Sequence, residues 1–266
     1  MVPGTRLPEG QTPVSEIHIN FFLVLTGLVV AAGVFVALFF VSAPYGRHIR
    51  KGWGPLIPNL FAWIIMEAPS VVVFAIFFAL GKVDKNLPIL IFFALWEGHY
   101  IHRAFIYPLT IRDGFKKMPI LVMSLGFAFN LGNAYANGRY LFSLSGGYPQ
   151  SWLLDARFLA GVTLFVAGFV ANRWGDLALR ELRKPGETGY KIPYGGLFRW
   201  VSCPNYLGEI VEWCGWALAT WSLPGAAFAA WTIANLAPRA RSHHAWYHEN
   251  FPEYPEERKA LIPGVW

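Results

Sequence analysis

The sequence predicts an all-α, polytopic integral membrane protein of seven transmembrane helices, with the N-terminus outside and the C-terminus in the cytoplasm. Three observations predict it: composition, the run of uncharged segments, and the placement of basic residues. The 266 residues are 55% hydrophobic and only 14% charged, where a soluble domain carries about 25% charged residues. So much apolar surface excludes disorder. Cys203 and Cys214 are the only cysteines, which excludes a secreted disulfide scaffold.

The spans follow in order. Residues 17–46 contain no Asp, Glu, Lys or Arg, a run longer than the roughly 20 residues a membrane helix needs. Residues 52–81 carry one charge, Glu67, near the middle. A third span reads from about 86 to 109 and is interrupted by Glu97 and Arg103. The fourth is the uncharged segment 118–138. The fifth starts near Leu153 and runs past Asn172 into a charged stretch. Residues 213–238 are uncharged but broken by Pro224-Gly225, which reads as a tight turn between a sixth helix, about 205–222, and a seventh, about 225–249.

Basic residues test this count. The N-terminus and the 2–3, 4–5 and 6–7 connections hold five Lys and Arg, whereas the 1–2, 3–4 and 5–6 connections and the C-terminal end hold sixteen. The positive-inside rule puts the second group in the cytoplasm, and an odd number of crossings agrees with opposite ends. The net charge of +6 therefore describes cytoplasmic loops, not a nucleic-acid surface. The longest polar stretch, 173–199, is a cytoplasmic loop long enough to carry function. The chain reads as a single domain, 1–266.

Polar groups inside spans are the functional signal. A carboxylate at mid-depth costs several kcal/mol to insert and marks a functional site by default. Glu67 is therefore a candidate substrate-binding acid or proton carrier, or else a structural partner of Arg103 or a tyrosine. Glu97, Tyr100 and Arg103 repeat every three residues and share a helix face. That face is either a polar staple between helices or, through the Tyr100 phenol, a hydrogen-bond donor to developing negative charge. On the fifth helix Asn172, Asp176 and Arg183 fall within about 40° of one another. Asn205, Glu209 and Glu212 make a similar stripe on the sixth, and Arg239, His243 and Tyr247 on the seventh. These stripes are solvated helix ends or a ligand site. Arginine, carboxylate and asparagine together suit a dinucleotide's phosphates, ribose and carboxamide, although no glycine-rich phosphate loop is present. His244 and His248 have i, i+4 spacing, but the sequence predicts no metal site.

Several segments resemble the steroid 5α-reductase family: Glu67-Ala-Pro-Ser70, His99-Tyr-Ile-His-Arg103, Arg180-Glu-Leu-Arg-Lys-Pro-Gly-Glu187, Tyr190-Lys-Ile-Pro193, Gly195-Gly-Leu-Phe198, Asn205-Tyr-Leu-Gly-Glu-Ile-Val-Glu-Trp213 and Arg258-Lys-Ala-Leu-Ile-Pro263. The resemblance runs from about 43 to 266 and is densest over 150–266. It implies NADPH-dependent reduction of the 4,5 double bond of 3-oxo-Δ4-steroids in a seven-helix fold. It implies that Glu67 and Tyr100 contact the ketone oxygen, and that Trp63 and Tyr45 lie at the substrate and nicotinamide ends. It also implies that Asn172, Asp176, Arg183, Lys191, Asn205, Glu209, Arg239, His243 and Tyr247 surround the dinucleotide. Lys191 stands where the family pattern calls for arginine, so a bidentate phosphate contact becomes a point charge. Arg112 and Lys116, in a lengthened 3–4 loop, are secondary phosphate candidates.

Hydride addition to the β-carbon of an enone leaves charge on the carbonyl oxygen, which a donor at that oxygen stabilises. Tyr100 donates directly; Glu67 donates only when protonated and otherwise orients Tyr100. The expected partners are a steroid or other lipid enone and membrane lipid, with no obligatory protein partner. The membrane is the bacterial inner membrane or the endoplasmic reticulum. Other readings are a reductase of another lipid enone, sterol or enoyl-CoA double bond, an isoprenylcysteine-type methyltransferase, and a non-enzymatic seven-helix receptor or transporter.

Overall fold

The computed structural model describes residues 14–111, 117–184, 187 and 189–266, so Arg112 and Lys116 lie outside the described residues. The chain is mostly helical. Its helices are α1 (Val14–Phe40), α2 (Asn59–Leu80), α3 (Leu87–Ile101), α4 (Tyr107–Thr110), α5 (Ile120–Arg139), α6 (Ala156–Glu181), α7 (Pro204–Thr220) and α8 (Leu223–Asn250). Short strands β1 (Leu56–Pro58) and β2 (Lys117–Pro119) pair antiparallel, Ile57 opposite Met118, and tie the entry of α2 to that of α5.

Three segments among the described residues are long and apolar enough to cross a membrane: Glu16–Phe40, Asn59–Leu80 and Ala156–Glu181, with mean hydropathies of 2.7, 2.2 and 1.3. Helices α3 and α7 are shorter, at 15 and 17 residues, and they and α5 and α8 carry polar residues within their apolar runs. Many of these face inward: Glu97 and His99 on α3, Asn130 and Asn137 on α5, and Glu212 on α7 are all buried. Exposed side chains on α1 and α2 are instead apolar, among them Phe22, Val29, Phe61 and Val72. This is the inverse of a soluble protein's pattern and suits a lipid solvent.

Aromatic packing fills the centre. Trp96, Trp213, Trp216, Phe74 and Phe92 are fully buried. Trp96 stacks on Phe74 with centroids 4.4 Å apart, and Trp213 lies 4.2 Å from Phe228.

The α6–α7 contact is closer than side chains ordinarily allow. Gly161, Gly168 and Gly175 recur every seven residues on α6, and Gly208 and Gly215 on α7. A Cβ on Gly168 would stand on the backbone nitrogen of Glu212, and one on Gly208 on that of Asn172. Gly161 and Gly215 meet the backbones of Ala219 and Phe165 in the same way. Seven-residue spacing keeps such positions on one seam, and small residues let the backbones touch.

Two local departures from regular helix have physical causes. Pro108 cannot donate an amide hydrogen to the turn below and crowds that turn's carbonyl. The helix passes through a wide π-turn at His102–Ile106 before it, as inserted π-turns do near functional positions. The α7–α8 break differs from the expected one. The chain turns at Trp221, which is left-handed at φ 44°, and Ser222 caps α8 by accepting from the Gly225 amide at 3.1 Å. Pro224 and Gly225 lie inside the first turn of α8, where a missing N–H costs nothing.

Gly168→Ala should lower the melting temperature in detergent, by an amount corresponding to about 1–3 kcal/mol of overpacking. Gly132→Ala, where a Cβ meets nothing within 4 Å, should leave it unchanged or raise it. Equal melting temperatures for the two variants would remove the seam's role.

Candidate active site

Where α6, α7 and α8 end together, their polar stripes face one another around a cavity of about 310 Å³. The seam brings the first two stripes into register. Asn172 donates to the Asn205 carbonyl at 2.9 Å and to Glu209 at 3.2 Å, and Asn205 donates to Asp176 at 2.9 Å. Gly175 makes this approach possible, since a Cβ there would lie 2.9 Å from Asn205. Arg103, carried on the π-turn, reaches across to Asp176 at 3.7 Å and Glu209 at 3.9 Å. Arg173 meets Asp176 at 3.5 Å.

The α8 side of the wall is aromatic and cationic. Arg239 donates to the Tyr206 hydroxyl at 2.7 Å and packs 4.8 Å over the Tyr45 ring. His243 shares that hydroxyl at 3.1 Å and stacks on His48. Burial, with the guanidiniums of Arg47 and Arg50, holds His48 below the usual imidazole range, which favours its neutral form. Arg47 sits in a cage of Tyr190, Trp246 and Tyr247, 4.5, 4.5 and 4.8 Å from their rings.

Of the residues expected around a dinucleotide, Tyr45, Asp176, Arg183, Lys191, Asn205, Glu209, Arg239, His243 and Tyr247 all line this cavity. Asn172 does not; buried beneath it, Asn172 holds Asn205 and Glu209 in place. Lys191 is paired with Glu187 at 2.6 Å, and the hydrogen bond from Lys191 holds the Glu187 carboxyl below the usual range. Glu212 leaves its stripe to bond His99 at 2.7 Å, both buried.

Trp63 lines the cavity, with the Arg103 guanidinium 4.8 Å over its ring. Glu67 and Tyr100 are not part of the cavity's lining; both are buried among α2, α3 and α5. The Glu67 partner is neither Arg103 nor a tyrosine but Asn130, which donates to its Oε2 at 2.9 Å. Asn130 also donates to the Met66 carbonyl at 2.9 Å and accepts from Ser70 at 3.0 Å. Sequence reasoning overlooked Asn130, although Asn130, Asn133 and Asn137 all fall on one helical face of an otherwise apolar span, a readable signal. It also passed over Arg47, Arg173, Tyr107 and Tyr206 in the cavity wall. His244 bonds Ser202 at 2.7 Å, and no three potential metal ligands gather among the described residues.

Comparison with known proteins bears on this arrangement. The 3-oxo-5-alpha-steroid 4-dehydrogenase family profile matches residues 116–266. Steroid 5-alpha-reductase DET2 of Gossypium hirsutum is 41% identical over 249 residues, 92% of this chain and 96% of its own. The 3-oxo-5-alpha-steroid 4-dehydrogenase 1 of Bos taurus is 45% identical over 233 residues, 86% of this chain and 90% of its own. That of Homo sapiens is 41% identical over 254 residues, 95% and 97% of the two chains. Such identity across nearly the whole length, with the family profile over the cavity-forming half, places the chain in the steroid 5α-reductase family, and so among the oxidoreductases.

Proposed function

We propose that this protein reduces the 4,5 double bond of 3-oxo-Δ4-steroids, with NADPH as reductant. The observation that carries the reading is the pairing of a cation-rich cavity with a buried carboxylate and phenol beyond its Trp63 wall. The cavity suits a dinucleotide phosphate. Arg47, Arg103, Arg173, Arg180, Arg183 and Arg239 line it against Asp176 and Glu209. The Arg47 Nη1 and Arg180 Nε atoms are buried with no hydrogen-bond partner, a cost that phosphate oxygens would offset. Asp176, Asn205 and Glu209 offer acceptors and amide groups to ribose and carboxamide.

When bound, the dihydronicotinamide supplies the hydride. The protein's part is to hold the steroid ketone and stabilise charge as it forms. Tyr100 donates to the C3 oxygen, and the bond strengthens as the enone becomes an enolate; a proton from solvent or from Tyr100 then completes the reduction at C4. Glu67, fixed by Asn130, lies on the same side and shares or orients that donor. Arg103 bridges the two regions, with its charge held by Asp176 and Glu209 and its face against Trp63. The apolar, aromatic surroundings of Glu67 and Tyr100 exclude water, so each hydrogen bond there is worth more than in solution.

We further propose that all seven long helical segments cross the membrane, α3 and α4 counting as one, with the cavity on the cytoplasmic side. The supporting observation is the concentration of basic residues at that end.

Two measurements test these readings. With purified, solubilised protein, NADPH and testosterone, Glu67→Gln and Tyr100→Phe should each lose roughly 10²–10³ in kcat while keeping the NADPH dissociation constant. Arg239→Leu should instead weaken NADPH roughly tenfold or more. Full turnover in both Glu67→Gln and Tyr100→Phe would refute the roles given. For topology, with Cys203 and Cys214 replaced by alanine, an impermeant thiol reagent should label Asp84→Cys in intact cells or sealed right-side-out vesicles. It should label Glu257→Cys only after permeabilisation; the reverse pattern would invert the orientation.

A further inference from the structure

The α5 helix carries a second asparagine device beside the one that holds Glu67. Trp216, fully buried in the aromatic core, donates its indole N–H to Asn137 Oδ1 at 3.0 Å. An indole only donates, so the Asn137 oxygen must face it and the amide nitrogen must face away. That nitrogen donates to Asn133 Oδ1 at 3.0 Å and to the Asn133 carbonyl at 3.1 Å. The orientation of Asn133 follows in turn: its oxygen is taken, and its Nδ2 is the free end. The Nδ2 atom is buried and has no hydrogen-bond partner, a desolvation cost unless something uses it. Trp96 ties Tyr100 to this region: its ring lies 4.9 Å from that of Tyr100 and its indole donates to the Ser70 carbonyl at 3.0 Å. Ser70 and Asn133 are the hydrogen-bonding side chains nearest the Tyr100 hydroxyl, and Ser70 spends its own proton on Asn130.

We propose that Trp216, Asn137 and Asn133 form a one-way donor relay that ends on the Tyr100 oxygen and makes its hydroxyl a stronger, directed donor to the substrate carbonyl. The proposal rests on the Tyr100 role given above. The indole-to-amide and amide-to-amide links are in place; the proposal adds the amide-to-phenol and phenol-to-ketone links, so that every member donates to the next once the ketone is bound. Head-to-tail hydrogen bonds polarise one another, most of all in a low-dielectric interior. An amide hydrogen on the phenol oxygen withdraws density from the O–H bond and stabilises the oxygen as charge shifts toward it. It also occupies an acceptor position on the phenol oxygen. Asn133, Asn137 and Trp216 are thus positioning residues that act through Tyr100 without touching the reacting atoms. Trp216 is the fixed end: packed between Trp96, Phe92 and Phe165, it cannot turn to release Asn137. Nothing in a purely structural hydrogen-bond ladder requires the last donor to be left open at a phenol.

The test is a double-mutant cycle on kcat, read as product formed under saturating NADPH and testosterone, with NADPH affinity as the measure of folding. Asn133→Leu and Asn137→Leu should each lower kcat roughly tenfold, with the NADPH dissociation constant and the steroid KM within twofold of wild type. In a Tyr100→Phe background, Asn133→Leu should cause no further loss, because the oxygen it serves is gone. A tenfold loss that persists in Tyr100→Phe, or one that appears in KM and not in kcat, would overturn the relay. If Tyr100→Phe itself retains full turnover, the Tyr100 role fails first. The two failures are therefore distinguishable.

Discussion

The contact between the glycine faces of α6 and α7 is the constraint on which the rest of the structure depends. Ordinary side chains at Gly168 and Gly208 would separate the two backbones. Asn172 would then lose the Asn205 carbonyl and Glu209, and Asn205 would lose Asp176. These are the groups that face the cavity's cations. In a membrane the apolar lipid offers helices little reason to associate, so close packing and interhelical hydrogen bonds carry the association. Here the same glycines serve packing and the site together. The seam brings the backbones near, and nearness lets short polar side chains bridge them.

A second theme is that the interior's polar groups are mostly committed to one another. Glu67 belongs to Asn130, His99 to Glu212, and Arg103 to Asp176 and Glu209. Each would be costly alone in an apolar medium, and removing one partner leaves the other exposed to that cost. The exceptions carry information. The buried atoms left over include Arg47 Nη1 and Arg180 Nε at the cavity and Asn133 Nδ2 beside Tyr100. These three lie where a polyanionic cofactor and a catalytic phenol are proposed to act; Glu97 Oε1, Glu212 Oε2 and two Arg258 nitrogens are also without a partner and belong to residues outside the cavity lining.

Much of this was legible in the sequence, for reasons that particular residues make plain. A charged group in an uncharged run is conspicuous, so Glu67, Glu97 and Arg103 stand out, and Tyr100 stands out by sharing the face of the last two. Stripes at helical spacing place Asp176, Asn205, Glu209, Arg239 and His243 on faces, and the structure turns those faces to one cavity. What periodicity cannot give is the pairing between helices. Nothing in the spacing of Glu67 selects Asn130 over Arg103, because that choice depends on how α2 and α5 cross. Glu212 shared a stripe with Glu209 yet turns to His99, since one helix face spans two neighbours. The α7–α8 break lies two or three residues before Pro224-Gly225: that pair reads as a turn, but a proline is equally at home in a first helical turn. The seven-residue glycine spacing was present all along and only acquires meaning once α6 and α7 are known to be neighbours.

The dissociation constant of NADPH for Gly208→Ala, measured well below that variant's melting temperature, tests the central claim most directly. The account predicts that a single methyl at the seam weakens NADPH by tenfold or more while helical content is unchanged, because Asn172 and Asn205 can no longer hold Glu209 and Asp176 at the cavity. Wild-type affinity in a folded Gly208→Ala protein would contradict it, and would mean that the cofactor site does not depend on the close approach of these two helices.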